Sequence, residues 1–319
     1  MPAQDPLALA VPGQRWVVRH RLPDGSATDV TGWVEQLAPG HVQLGTADGR
    51  RHVIERSAVL AARRAPAAAG GPPPERTSAE ELERLTVPGW LALAEPLGEW
   101  TLRAGGGFTG RANSCHAVGD PGVEAAEAGQ RIVAHAAAHG IEPLACVVEG
   151  GEPEAALRSL GWQEAYVPTD VLAVRLADLL GTAAPDPRAR VTLDLTVGWW
   201  NAYGQSRPNE ADPGLLRLIL AGHPPRAFGW TGEPDHPSSI GRGHLNGDWL
   251  GYAALWTRPE HRRQGLATAV LSRLGHWAAR HGARYAYLQV ATANSEAHAA
   301  YTRLGFRRHH AYRYLAPPG

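Results

Sequence analysis

The sequence predicts an α/β (α+β) protein in three parts, a small N-terminal β-barrel followed by two similar lobes, each a mixed sheet flanked by helices. Three observations predict it. Short strand-like runs joined by turn residues fill the first 65 positions, an Ala/Gly/Pro-rich stretch follows, and one strand–helix–strand–helix–strand pattern then occurs twice.

The N-terminal runs are Gln14–Leu22, Val30–Leu37, His41–Thr46 and Arg51–Glu55, separated by the turn signals Pro23-Asp24-Gly25, Pro39-Gly40 and Asp48-Gly49. Strands this short and this closely spaced favour a compact SH3-like barrel, which either binds a protein partner or covers another domain. From Ala61 to Glu75 the sequence AARRAPAAAGGPPPE has no apolar periodicity and reads as a linker. At Ser78-Ala-Glu-Glu81 a capping box opens a helix over Glu80–Leu85, and Trp100–Arg103 reads as a strand.

Two later regions then match each other. Helix Val123–His139 leads through Gly140 to strand Leu144–Glu149 and a short helix ending AALRSLGWQEAYV, while helix Gly265–His281 leads through Gly282 to strand Tyr285–Ala291 and a helix ending AAYTRLGFRRHHAY. The expected division is a barrel over 1–65, a linker over 66–79, a first lobe over 80–189 and a second over 190–319.

Composition narrows the function. Lys plus Arg equals Asp plus Glu, 31 of each, so bulk charge predicts neither nucleic acid nor an acidic membrane surface as partner. There is no lysine, and the bias to Arg, Ala, Gly and Pro reads as codon pressure in a GC-rich bacterium. The N-terminus lacks the pattern of a signal peptide and no apolar run is long enough to span a bilayer, so a cytoplasmic location is expected. Cys115 and Cys146 lack metal or redox spacing and read as reduced, buried thiols. Fifteen histidines form no metal motif, and the adjacent His309 and His310 should point to opposite faces of a strand; no metal site is expected.

The stretch Leu255-Trp256-Thr257, followed by Arg262-Arg263-Gln264-Gly265-Leu266-Ala267-Thr268, resembles the acyl-CoA motif of the GNAT N-acetyltransferases, an R/Q-x-x-G-x-G/A loop between a strand and a helix. Asn294 and Tyr301, in ANSEAHAAYTRLGF, are similar to that superfamily's second signature. The resemblance covers roughly 190–319, and the order of parts resembles actinobacterial two-lobed GNAT proteins with an N-terminal SH3-like domain. Its physical basis is sound: a helix N-terminus offers free N–H groups and partial positive charge, Gly265 permits close backbone approach, and Arg262 and Arg263 add cations.

What the resemblance implies is an acetyl-CoA-dependent enzyme that moves the acetyl group directly to a primary amine of a small molecule or peptide. Asn294 would contact the CoA arm as well as cap its helix, and Tyr301 would protonate the departing thiolate. The first lobe carries Gly150 and Leu157 where the second has Asn294 and Tyr301, and HAVGDPGVEAA replaces the loop; it is expected to bind no cofactor in this way. Its glycine cluster, LRAGGGFTGRANS, reads as a turn. His244, Asp248 and Glu233 are candidate general bases, and Trp199, Trp200, Tyr203, Trp230 and Trp249 suit either an acceptor wall or a core. A non-catalytic acyl-CoA-binding or interaction protein, with the barrel as its working part, is the alternative.

Overall fold

The computed structural model describes residues 5–8, 10, 14–46, 50–65, 72–206, 212–222 and 225–318. The turn at Asp48-Gly49 and linker residues 66–71 lie outside the described residues.

The N-terminal strands are β1 (Arg15–Arg21), β2 (Ala27–Leu37), β3 (His41–Gly45), β4 (Arg51–Glu55) and β5 (Val59–Arg64). They form one antiparallel sheet in the order β4-β3-β2-β1-β5. This corrects the expected barrel: the sheet is open, with β4 and β5 at opposite edges and no pairing between them. Both edge strands carry largely exposed residues, Arg51, Glu55, Arg63 and Arg64 among them. Trp16, Val18, Val34, Val42, Leu44 and Ile54 make its core. The linker expected from Ala61 also starts too early, because Ala61–Arg64 pair with β1.

Beyond the linker come α1 (Ala79–Thr86), β6 (Leu93–Leu97), β7 (Trp100–Ala104), β8 (Cys115–Ala117), α2 (Ala125–His139), β9 (Ala145–Val148), α3 (Glu152–Ser159), β10 (Gln163–Glu164), β11 (Thr169–Arg175) and α4 (Leu176–Thr182). The capping box forms as read: the Glu81 N–H donates to the Ser78 hydroxyl at 3.2 Å, and the Ser78 N–H to the Glu81 carboxylate at 2.8 Å. The remainder comprises β12 (Ala189–Thr192), α5 (Val197–Ser206), α6 (Pro213–Ala221), β13 (Arg226–Gly232), β14 (Pro237–Asn246), β15 (Trp249–Thr257), α7 (Leu266–Arg280), β16 (Tyr285–Ala291), α8 (Ser295–Arg303) and β17 (Arg307–Ala316).

All strands from β6 onward belong to one sheet, ordered β12-β13-β14-β15-β16-β11-β17-β9-β8-β7-β6, with β10 attached to β17. Apart from β12, the order is symmetric about the β11–β17 pair. β15 runs parallel to β16 as β8 runs parallel to β9, and the last strand of each repeat crosses over to complete the other repeat's sheet. Thus β11 pairs with β16, β17 pairs with β9, and β11 and β17 pair antiparallel with each other. Helices α7 and α8 cover one face of the second half, over Leu172, Val174, Leu250, Tyr252 and Leu288. On the opposite face Leu82 of α1 packs on Val171, Trp249, Tyr287 and Tyr312.

A buried ionic cluster pins α1 to both repeats. Glu83, 2% exposed, accepts from His116 Nε2 of β8 at 3.1 Å and from His310 Nε2 of β17 at 3.0 Å. His309 and His310 do not point apart as alternation requires; their Nδ1 atoms are 2.8 Å from each other. The cause is a β-bulge: Val171 pairs with His310 and the adjacent Leu172 with Arg308, leaving His309 as the extra residue.

The two imidazole hydrogen bonds hold the Glu83 carboxyl down at about 2, against an ordinary 4.5, in spite of burial, while burial lowers His116 so that it serves as a neutral donor. Both shifts depress the folded-state value, so the unfolded chain takes up protons first on acidification. Stability is therefore expected to fall as pH drops below about 6.5 through His116, and by a further ~3 kcal/mol between about 4.5 and 2 through Glu83. Urea midpoints measured across that range check this. Glu83→Gln should flatten the lower limb, and a wild-type midpoint independent of pH below 6.5 would contradict the cluster's ionisation.

Candidate active site at the parting of two parallel strands

β15 and β16 pair only from Trp249↔Tyr285 to Tyr252↔Leu288. Beyond Tyr252 they part, although β15 runs on to Thr257 and β16 to Ala291, and β11 still holds the far edge of β16 through Thr169↔Ala291. The parting coincides with a bulge on the other side of β15. Between Ile240↔Trp256 and Arg242↔Ala253, the single residue Gly241 of β14 faces Ala254 and Leu255. A Cβ on Gly241 would lie 2.8 Å from Leu255 Cδ2 and 2.8 Å from Val270 Cγ1, so only glycine fits between the bulge and α7. Ala254 adopts a φ of +53°, a left-handed conformation that non-glycine residues rarely hold and that concentrates at functional sites.

The chain leaves β15 through a 3-10 turn at Pro259–His261 and enters α7 at Gly265, whose φ of +76° places it in the left-handed region. Arg263 shares that conformation, with φ +61°. No side chain caps α7, and its first backbone bond runs from Ala269 N–H to Gly265 O at 3.0 Å, so the amides of Leu266, Ala267 and Thr268 precede the ladder. A Cβ on Gly265 would meet nothing closer than an Arg188 guanidinium nitrogen at 3.9 Å. Open space thus faces an uncapped helix start, the geometry that receives an anion.

Arg262, Arg263, Gln264 and Ala267 are exposed around this space and Thr268 is half-buried. Arg262 Nε leans back on the Thr257 carbonyl at 3.4 Å. Leu266 is 7% exposed and its side chain belongs to the core, leaving its amide as its only contribution. Thr257 Oγ1 lies 2.8 Å from Ser239 Oγ, which also bonds the Trp256 carbonyl at 2.9 Å. Sequence reasoning missed Arg188, which is held by Asp186 and reaches the Gln264 carbonyl at 3.4 Å with two nitrogens. It arrives from a loop 76 residues upstream, with no local signal.

On the helical face, Leu255 and Tyr301 pack against the same core cluster. Asn294 caps α8, accepting from the Ala297 N–H at 3.1 Å. The Tyr301 ring meets Phe306 edge-on at 5.9 Å, and its hydroxyl has no hydrogen-bond partner among the described residues. Burial raises the Tyr301 phenol above the ordinary tyrosine range, which keeps its proton in place at neutral pH.

The candidate bases separate. Asp248 sits in the β14–β15 turn at the far end of β15 from the bulge, and Glu233 is exposed in the β13–β14 turn. His244 pairs with Gly251, two positions from Arg242↔Ala253 and on the same face. The tryptophans divide as well. Trp249 is core against Tyr285, and Trp199 stacks on Tyr203 while donating to the Gly229 and Gly241 carbonyls at 3.2 Å. Trp200, Trp230 and Trp256 stay half-buried in one cluster with Ala254 and with Phe108, which the first repeat contributes. The glycine cluster read as a turn is therefore also a wall of this region. Its Asn113 Oδ1 accepts from Gly105 and Gly107 N–H at 2.7 and 2.9 Å.

The first repeat differs at the corresponding positions. Glu124 occupies the N-cap of α2 and Glu127 its first turn, Gly150 precedes α3, and Leu157 is buried where the second repeat has Tyr301. Carboxylates there occupy the positive end of the helix and repel phosphate. Cys115 and Cys146 are free and buried, and burial pushes the Cys146 thiol up to about 12, so neither supplies a thiolate.

A family model described as "Probable histone acetyltransferase Rv0428c C-terminal" matches residues 79–315. No curated protein matches the chain. Among solved structures, a GCN5-related N-acetyltransferase from Kribbella flavida is 20% identical, with a TM-score of 0.57 over 76% of this chain and 96% of that one. A GNAT-family acetyltransferase from Novosphingobium aromaticivorans is 19% identical (TM-score 0.46, 71% and 92% covered), and a tandem GNAT protein of the clavulanic acid pathway is 15% identical (TM-score 0.46, 65% and 76%). The first of these shows the shared fold. No helix among the described residues is long and apolar enough to cross a membrane.

If the open space before α7 is an anion site, inorganic pyrophosphate should bind there with a strong decline as salt rises. Arg188→Ala should weaken it about two- to fivefold, read by calorimetric titration. Absence of binding at low salt, or affinity unchanged in Arg188→Ala, would count against the site.

Proposed function

Because the chain belongs to the family of the Rv0428c C-terminal region, and is thereby a GNAT-superfamily N-acetyltransferase, we propose that it carries an acetyl group from acetyl-CoA directly to a primary amine at the gap between β15 and β16. The observation that carries this reading is the uncapped start of α7 beside two parallel strands that part at a strained bulge.

On this reading each residue of the site has a role. The amides of Leu266, Ala267 and Thr268 receive the pyrophosphate, with Arg188, Arg262 and Arg263 adding charge and Gln264 and Gly265 forming the tight entry. Asn294, its oxygen engaged as a cap, retains its amide N–H groups for the CoA arm. The thioester enters the gap, where backbone N–H groups of Leu255–Thr257 polarise its carbonyl. The neutral amine attacks that carbon; the C–N bond forms, the C–S bond breaks, and the thiolate takes its proton from Tyr301. His244, the one candidate base on the face of Ala253, accepts the amine's proton directly or through water. With both thiols buried and protonated, direct transfer is favoured over an acyl-cysteine intermediate.

The acceptor approaches from the face opposite α7 and α8, where the first repeat meets the second. There Phe108 packs near Ala253, and Trp200 and Trp256 lie by the bulge. The first repeat, on this reading, shapes the acceptor site and binds no acetyl-CoA. The N-terminal sheet docks at the other end of α7, where Arg64 donates to the Arg280 carbonyl at 2.8 Å, so it stands apart from the chemistry and is free to take a protein partner.

Free-thiol release from acetyl-CoA against an amine panel tests the proposal. Tyr301→Phe should lower kcat about 10²- to 10⁴-fold. Since the hydroxyl has no protein partner to lose, stability and acetyl-CoA affinity should stay nearly unchanged. Tight acetyl-CoA binding with no thiol release on any amine would favour a non-catalytic acyl-CoA-binding protein instead.

A further inference from the structure

Arg111, in the loop between β7 and β8, is a half-buried cation without a carboxylate partner among the described residues. Its Nε donates to the Tyr312 hydroxyl at 3.1 Å, and its guanidinium carbon lies 5.2 Å from the centre of the Trp90 ring. Neither contact neutralises the charge. Both terminal nitrogens of the guanidinium lack a protein acceptor among the described residues and are left free to meet a ligand.

The side chain lines a cavity of about 310 Å³ whose other walls include Phe108, Glu142, Tyr166, Tyr312 and Tyr314. Glu142, exposed at the edge of the cavity, makes no ion pair with Arg111 and accepts from the Tyr166 hydroxyl. The loop is braced from within. Asn113 Nδ2 donates to the Thr109 carbonyl at 3.0 Å and the Ser114 hydroxyl to the Gly110 carbonyl at 2.6 Å, which fixes the backbone on both sides of Arg111. A fork with free donors, held in place on a cavity wall, is built to receive a planar anion.

The cavity adjoins the parting strands. Phe108, on its wall, belongs to the same apolar cluster as Trp90 and Ala253. Thr169, also on its wall, pairs with Ala291 at the end of β16. A second cation stands by: Arg242, 1% exposed, lies 5.6 Å from the Trp90 ring. Its three nitrogens donate to the Leu220, Gly89 and Ile219 carbonyls, at 2.8, 2.9 and 3.5 Å, so it adds positive potential while held by backbone acceptors.

We infer that Arg111 receives a carboxylate of the acceptor, which makes the acetylated amine part of a small amino-acid-like molecule with an aromatic or similarly flat frame. The inference rests on the acetyl-transfer reading of the gap. The amine turns toward Ala253 while the carboxylate pairs with the guanidinium fork, and the tyrosines and Phe108 cover the frame.

Calorimetric titration of the full chain, saturated with CoA, with the aromatic amino acids, their amides and their decarboxylated amines tests it. At least one of the acids should bind at least about tenfold more tightly than its amide and its amine. Arg111→Gln should erase that difference, and Arg111→Lys should restore only part of it. The inference is overturned if none of the acids binds, if amides or amines bind as well as acids, or if Arg111→Gln keeps the preference. The wild-type series decides even if a variant misfolds. Failure of the acetyl-transfer reading is distinct, since it would appear as absence of free-thiol release from acetyl-CoA by the wild-type chain on any amine.

Discussion

The pairing of β11 with β17 at the centre of the long sheet is the interaction on which the rest depends. Each strand ends one repeat and completes the other, so neither half has a full sheet of its own. Because β11 grips β16 along its whole length, the strands can part only on the β15 side, and that is where the bulge, the strained Ala254 and the start of α7 converge. The same crossing lays the first repeat's glycine loop against the second repeat's active face. Glu83, held between His116 and His310, then fixes α1 across the junction.

Within this near-symmetry the two repeats differ in electrostatics more than in architecture. Each has a long helix following a parallel strand, and each helix has a positive N-terminal end. Neither end has a side-chain cap; that of α7 opens through Gly265 with arginines around it, while that of α2 carries Glu124 and Glu127. Carboxylates at a helix start oppose the binding of a second anion there. The two repeats thus share a fold while the charge at the start of their long helices differs in sign.

Much of this was legible in the sequence, where signals are local. The capping box at Ser78 and Glu81, the glycine stops after both long helices and the Gly265 loop act within a turn or two, and the repeat made the glycine stops visible twice. Features defined by a partner strand were not. Ala61–Arg64 look like linker because their strand exists only through β1, and whether the N-terminal sheet closes depends on which strands pair, which no local run of residues reveals. The adjacency of His309 and His310 comes from a bulge that no periodicity reveals. At the site, Arg188, Phe108 and Arg111 come from distant loops, and Trp249 separated from Trp200 only once the sheet placed one in the core and left the other half-open.

The stoichiometry of acetyl-CoA binding tests the account most directly. Calorimetric titration of the full chain should give one acetyl-CoA per chain, and Gly265→Val, which forces a β-branched residue into a left-handed conformation at the mouth of the site, should remove it while far-UV circular dichroism stays unchanged. Two acetyl-CoA molecules per chain, or one that survives this substitution, would contradict the assignment of the cofactor to the start of α7.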